Sequence, residues 1–301
     1  MPHITDKNTH LQKADQTMEM QYLDLLRDIL ENGREIKDRT GVGTIGVFGR
    51  TLRCNLQDGF PALTTKKLAW KAVVAELLWF LEGSNNELRL HELTYGIGSD
   101  KKTIWHGNMT APYWKDKAKF HGDVGNIYGV QWRKWKKTDG SGEVDQIANL
   151  VDTIKNNPES RRMILSAFNV GDLENMSLPP CHMMAQFNVD VEKGTLNCLM
   201  TQRSVDVFLG LPFNIASYAL LTMMLAQVTG LKAGELIMSL GDTHIYSNHV
   251  EQVKEQLLRQ PFKMPTLYLN PSITDIDSFT NSEFTLAGYE SHSSISAPMA
   301  V

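Results

Sequence analysis

Apolar residues recur three and four apart between Met18 and Asn32, where Tyr22, Leu25, Leu26, Ile29 and Leu30 share one face. That spacing predicts an amphipathic helix, and Gly33 stands where a left-handed residue would end it. From Thr44 to Leu56 the alternation shortens to a period of two, predicting a strand pair around Gly49. A second helix is expected from about Ala69 to Leu81. Its apolar set is Val73, Val74, Leu77, Leu78 and Leu81, and Glu76 interrupts it. Residues 83–102 are polar and aperiodic, the pattern of a surface excursion. Val144 to Asn156 forms another amphipathic stretch, on Ile147, Leu150, Val151 and Ile154. A strand from Met163 to Phe168 follows, then a hairpin of Gln186–Val191 and Thr195–Met200 about Glu192-Lys193-Gly194. Ile215 to Val228 is apolar on every side and reads as a core helix. A strand ends near Tyr246, and the helix Ser247 to Arg259 follows it.

Composition narrows the class. A chain of 301 residues, 42% hydrophobic and 21% charged, supports a sizeable core in one large domain or two. The formal net charge is -4. No basic field favours nucleic acid as a partner, so any anion site must be built from local arginines. The three cysteines, Cys54, Cys181 and Cys198, have neither paired nor metal-type spacing. This suits a reducing, cytoplasmic setting and argues against a disulfide framework or a metal site. No uninterrupted apolar run is long enough for a bilayer, so no membrane partner is expected. Residues 1–17 are polar and lack the apolar core of a signal peptide, which predicts a flexible extension.

The candidate chemistry centres on Leu178-Pro179-Pro180-Cys181-His182-Met183-Met184. Two prolines restrict the backbone, so the thiol that follows is held in a defined place. Cys181 is either a nucleophile beside His182 or a small buried hydrophobe, and the dipeptide alone favours the second reading. Glu76 is either a partly exposed glutamate or a carboxylate aimed into a cavity, where burial would raise its pKa and suit proton transfer. Asp38-Arg39-Thr40-Gly41 can wrap an anion or simply turn. Arg161-Arg162 at a strand mouth is a solvated edge or a phosphate fork. Asn214 caps a helix or matches the N–H and C=O of a uracil-like edge. His244 and Tyr246 can bond a sugar hydroxyl. Trp105 is core or a flat wall for a planar ligand.

Taken in order, these strings resemble the thymidylate synthase family over Gln21 to Val301. The matching stretches are Asp38-Arg39-Thr40-Gly41, Phe60-Pro61 with Thr64-Thr65-Lys66, Glu76-Leu77-Leu78-Trp79-Phe80-Leu81, Ser160-Arg161-Arg162 and Pro180-Cys181-His182. They continue with Gln202-Arg203-Ser204, Pro212-Phe213-Asn214-Ile215-Ala216-Ser217-Tyr218 and Gly241-Asp242-Thr243-His244-Ile245-Tyr246. Together they reverse the odds on Cys181.

The resemblance implies an α+β, three-layer fold over residues 18–301, with a mixed β-sheet forming a homodimer interface. It implies one-carbon transfer from 5,10-methylenetetrahydrofolate to C5 of dUMP through a Cys181–C6 adduct. Arg39, Arg203 and Ser204 would hold the phosphate, joined by Arg161 and Arg162 from the other subunit. Asn214 would read uracil, and His244 and Tyr246 the 3′-hydroxyl. Glu76 would organise water and proton transfers around the base, Tyr128 would help to take the C5 proton, and His182 would be catalytic beside Cys181. Asp206 would bond the pterin. Trp105, Asn108, Lys66 and Val301 would line or close the folate site.

Four positions depart from the family's usual residues. His106 stands for aspartate, Asn126 for proline, Phe168 for tryptophan and Thr201 for tyrosine. Several are expected near the folate or around the cysteine. There a barrier change of ~1.4 kcal/mol shifts the partition of products tenfold. Two products stay open: a methyl group with dihydrofolate, or a hydroxymethyl group with tetrahydrofolate.

Overall fold

The computed structural model describes residues 16–37 and 41–299. Helix α1 (Met18–Asn32) is capped by Thr17, whose hydroxyl accepts from the Met20 amide. Thr17 therefore belongs to the fold rather than to the expected extension. Strands β1 (Arg34–Ile36) and β2 (Thr44–Asn55) lead to α2 (Trp70–Leu81) and α3 (Glu87–Tyr95). Then come α4 (His106–Thr110), α5 (Pro112–Lys115), α6 (Tyr128–Arg133), the short pair β3 (Trp135–Lys136) and β4 (Glu143–Val144), and α7 (Gln146–Asn156). The second half holds β5 (Ile164–Ser166), β6 (His182–Asp190), β7 (Thr195–Asp206), α8 (Leu211–Val228), β8 (Lys232–Tyr246) and α9 (Val250–Leu257). It ends with the pair β9 (Thr266–Leu269) and β10 (Phe284–Ala287).

Six strands form one mixed sheet in the order β1-β2-β8-β7-β6-β5. The β7–β8 pair is parallel and its neighbours are antiparallel. A parallel pair needs a crossover, and α8 supplies it. Alternation sorts the two faces. Leu196, Cys198, Met200 and Gln202 of β7 are buried with Leu236, Met238 and Leu240 of β8. The residues between them, Leu199, Thr201, Ile237 and Ser239, are half-buried, and with the exposed Thr51 and Arg53 they form the other face. Helix α8 is buried on nearly every side against β7, β8 and α2. Although the sequence reading expected no bilayer-length apolar segment, α8 is long and apolar enough for one by length and composition; 78% of it is buried in the core.

Several boundaries differ from expectation. β2 is one long strand bent at Gly49 (φ 72°) rather than a pair. Residues 83–102 contain α3, whose buried Glu87 accepts from the Thr103 hydroxyl. Gly33 is extended (φ -70°, ψ 152°), so it is not a left-handed stop. Space explains it instead: a Cβ there would lie 2.4 Å from the Ile29 carbonyl oxygen. Helix α8 starts at Leu211, which places Asn214 inside its first turn and removes the N-cap reading.

Candidate active site

The topology gathers the chemistry at one end of the sheet. Parallel pairing sets Ser204 beside Asp242 and Asp206 beside His244 at the carboxyl ends of β7 and β8. The start of β6 lies against the same end, with His182 opposite Gln202. Ligands in sheets with parallel strands favour such ends, where the chain leaves the sheet and frees its polar groups.

Cys181 precedes β6 and is partly exposed. Its amide donates to the Tyr128 hydroxyl at 2.8 Å, and its carbonyl accepts from the Arg203 amide at 2.8 Å. The Arg203 guanidinium clamps the Pro-Pro segment, donating to the carbonyls of Pro180 at 2.9 Å and Pro179 at 2.7 Å. It also approaches the Phe168 ring, 5.9 Å from its centroid. Burial raises the thiol's pKa, Arg203 opposes this, and Asp206 adds to it. Burial drives the other two thiols, Cys54 and Cys198, to about 12. Cys181 is thus the thiol with a cation working on it, which is what nucleophilicity requires.

Behind it stands a wall of rings. Tyr128 stacks on His182 at 3.9 Å and 13°, and meets Trp105 edge-on at 6.0 Å. Trp105 in turn packs on Trp79 at 5.8 Å. The wall forms because α2 and α6 approach closely at Gly129. A Cβ there would sit 2.8 Å from the Phe80 carbonyl oxygen. Glu76 projects from α2 into this wall, buried, and accepts from the Trp105 indole at 2.8 Å. Desolvation lifts its pKa to about 7, against the indole's pull. A carboxyl poised there can both give and take a proton at neutral pH.

Burial holds Tyr128 well above the ordinary phenol range, so it stays protonated. His182 is pushed by burial down to about 3, and its Nδ1 is paired with the Tyr218 hydroxyl at 2.8 Å. So weak a base cannot take the thiol's proton. The structure makes His182 the platform that orients Tyr128, and it disfavours a Cys–His hydrolase dyad.

On the other side of the cleft, Asn214 Oδ1 accepts from Gln202 Nε2 at 3.1 Å. The Asp206 carboxylate accepts from the amides of Phe208 and Leu209, both at 3.1 Å. His244 Nδ1 bonds Asp242 at 2.7 Å, and the Tyr246 ring stands edge-on to it at 5.3 Å. Ser204 lies between Arg203 and Asp206 on β7, partly exposed. Asn108 lies in α4, one turn beyond Trp105. The exposed Ile104 beside Trp105 offers apolar surface that the core does not use.

Other expected residues are placed elsewhere. Arg161 and Arg162 are exposed at the start of β5. The β5–β6 register puts them level with Asn188 and Val189 near the far end of β6, about 25 Å along the sheet from Cys181. Lys66 turns inward, donating to the Phe208 carbonyl and lying 3.6 Å from that ring's centroid. Burial lowers its pKa to about 8, Asp206 opposes this, and Arg259 adds to it. The Lys66 ammonium therefore braces the Asp206 turn rather than reaching outward. Arg39 and Val301 lie outside the described residues.

The departures also resolve. Thr201 sits on the half-buried sheet face, away from the ring wall, against the expectation that it bears on the folate side. Asn126 donates to Asp172 at 3.0 Å, as does Gln131 at 2.8 Å, bracing the turn before Tyr128. His106 opens α4 beside Trp105. The sequence reading gave no role to Gln202, Tyr218 or Asp172. Gln202 and Tyr218 lay inside quoted strings, but nothing in one dimension shows which buried polar group touches which.

The fold is a mixed sheet that gathers a thiol, a buried carboxyl and a set of polar side chains at one end. The chain belongs to the thymidylate synthase family, whose model, described as Thymidylate synthase, matches residues 20–301. The family transfers a one-carbon unit to dUMP with 5,10-methylenetetrahydrofolate as co-substrate. Among the described residues no His, Cys, Asp and Glu cluster suits a metal ion.

Proposed function

We propose that the chain methylates dUMP reductively to dTMP and releases dihydrofolate. The observation that carries this is the buried Glu76–Trp105–Tyr128–His182 wall. The alternative outcome, hydroxymethylation, needs water at the exocyclic methylene. A wall of buried rings with one carboxyl titrating near 7 disfavours that access.

Bound 5,10-methylenetetrahydrofolate supplies the one-carbon unit and the hydride. Cys181 Sγ forms a bond to C6 of dUMP, and the electron pair passes to C5, which becomes the nucleophile. Arg203, clamped on Pro179 and Pro180, favours the thiolate and stands beside Ser204 for the phosphate. Asn214, with its amide oxygen held by Gln202, presents its amide hydrogens to O4 of uracil. Glu76 serves the base's oxygen as proton donor and acceptor. Tyr128 stays a phenol, so it relays the C5 proton rather than keeping it. C5 takes up the one-carbon unit, loss of the C5 proton expels the folate nitrogen from it, and as hydride reaches the methylene so formed the C6–Sγ bond breaks and Cys181 leaves as thiolate.

The remote Arg161 and Arg162 suit donation to a second subunit, with the half-buried sheet face as the homodimer contact. A cytoplasmic setting fits the unpaired thiols. The decisive experiment is the mass of the product from dUMP and methylenetetrahydrofolate. A methyl product with dihydrofolate is expected. A hydroxymethyl product without dihydrofolate would make the chain a dUMP hydroxymethylase.

A further inference from the structure

The turn that delivers Tyr128 has little of its own to hold it in place. Helix α6 is six residues long, and Ile127 ahead of it offers no side-chain cap. So short a helix is marginal without outside support. Asn126 stands just before it. A proline, the usual residue of the family there, would fix the backbone φ covalently. Asparagine leaves the turn to its hydrogen bonds.

One carboxylate collects those bonds. Asp172 accepts from Asn126 Nδ2 at 3.0 Å, from Gln131 Nε2 at 2.8 Å and from Asn175 Nδ2 at 2.7 Å. Hydrogen bonds to an ionised acceptor are roughly twice as strong as neutral ones. Asn126 and Gln131 flank Tyr128 in the chain, and Gln131 also donates to the Asn126 carbonyl at 2.9 Å. Gln131 is buried, so without Asp172 one of its amide hydrogens loses its acceptor.

Asn175 belongs to a second segment, and the two segments pair. The Asn126 amide donates to the Asn175 carbonyl at 2.8 Å, the Ser177 amide donates to the Val124 carbonyl at 3.1 Å, and Gly125 bridges Met176. Ser177 leads through Leu178, Pro179 and Pro180 to Cys181. There the segments meet again, where the Cys181 amide donates to the Tyr128 hydroxyl at 2.8 Å. Asp172 closes this circuit at one end, and the Tyr128–Cys181 bond closes it at the other.

We propose that Asp172 is a positioning residue for the one-carbon transfer: its carboxylate ties the turn around Tyr128 to the segment entering Cys181 and so sets the phenol against the thiol. The inference rests on the reading of Tyr128 as the relay of the C5 proton. Asp172 acts through Tyr128, so its loss slows one step and spares nucleotide binding.

The test is release of tritium from C5-tritiated dUMP in the presence of methylenetetrahydrofolate, with dUMP affinity measured by calorimetry. In Asp172→Ala, release is expected to fall about 10- to 100-fold, the effect of misplacing a reacting group by about 1 Å. Affinity for dUMP stays within about twofold, as for an interaction that matters only to the reacting step. In Tyr128→Phe release is already slow, and adding Asp172→Ala costs less than about twofold more, because no phenol is left to position. A merely structural Asp172 would cost its full factor again. Should Asp172→Ala not fold, Asp172→Asn keeps the shape, turns one acceptor into a donor among donors, and carries the same comparisons. Wild-type release in a folded Asp172 variant overturns the proposal, and so does an undiminished loss on the Tyr128→Phe background. Wild-type release in Tyr128→Phe itself removes the relay, and the proposal with it. Proton loss from C5 precedes the branch between methyl and hydroxymethyl products, so this test fails separately from the methylation reading.

Discussion

The two sides of the cleft are built on opposite principles. The ring wall of Glu76, Trp105, Tyr128 and His182 is buried, and desolvation is the largest cause of each resolved pKa shift there. Glu76 rises to about 7, His182 falls to about 3, and Tyr128 stays protonated. The opposite side, Arg203, Ser204, Asp206, His244 and Tyr246, is mostly half-buried and held by hydrogen bonds to the backbone and by the His244–Asp242 bond. The wall uses desolvation to make groups neutral and available. The open side leaves the Arg203 and Asp206 side chains half-buried, within reach of solvent. Cys181 lies on the seam, with burial raising its pKa and Arg203 opposing.

The sharpest way to break this contrast is Glu76→Gln. Turnover is expected to fall ~100- to 10,000-fold, the range for losing a general acid–base group. Stability should move the other way. A carboxyl whose folded pKa is raised costs stability once it ionises. The cost is absent below its unfolded pKa near 4.5 and complete above about pH 7. The glutamine variant should therefore gain on the order of 3 kcal/mol at pH 8 and nothing at pH 4. Thermal melts at the two pH values check it. Equal gains at both would mean that Glu76 is not held near 7.

His182 provides the converse. Its folded pKa lies below the unfolded value of 6.5, so its contribution is full above pH 6.5 and is lost as pH falls towards 3. Urea unfolding should show stability falling across that interval by several kcal/mol. The fall should be smaller in His182→Gln.

On the open side, Arg203→Ala should weaken dUMP binding by about 2 kcal/mol, roughly 30-fold, as expected for a hydrogen bond to a charged group. It should also slow iodoacetamide alkylation of Cys181 at pH 7, because the opposing cation is gone. Calorimetry and mass spectrometry read the two effects separately. Unchanged values in both would place Arg203 in a purely structural clamp. The smallest effect belongs to Thr201→Tyr, which restores the family's usual residue on the sheet face. Product partition should change less than about twofold, well under 1 kcal/mol. A larger change would tie that face to the chemistry.

Much of the site could be read in one dimension, because its residues sit in short strings whose local backbone is stiff. Pro179 and Pro180 restrain Cys181 wherever the chain goes. Periodicity located α1 to the residue and α2 within one. It misjudged the start of α8, because Leu211 and Pro212 continue the helix upstream of the apolar run that was counted. It missed α3, since Arg89 and Glu92 mark a short helix whose core-facing residues, Leu90 and Leu93, are too few to register as a period.

Legible along the chain is the inventory: one thiol behind two prolines, arginines in loops and strand mouths, an asparagine near a helix start, a glutamate in an apolar helix. The tertiary structure decided which of these act on one another. It turned Lys66 inward, set Arg161 and Arg162 far from Cys181, and made His182 a stacking platform instead of a base. It moved Thr201 to the other face of the sheet and gathered Asn126, Gln131 and Asn175 on Asp172. Each outcome depends on strand register, on which face a side chain takes, or on desolvation by residues distant in the chain. These are properties of the assembled fold, and no local pattern of residues encodes them.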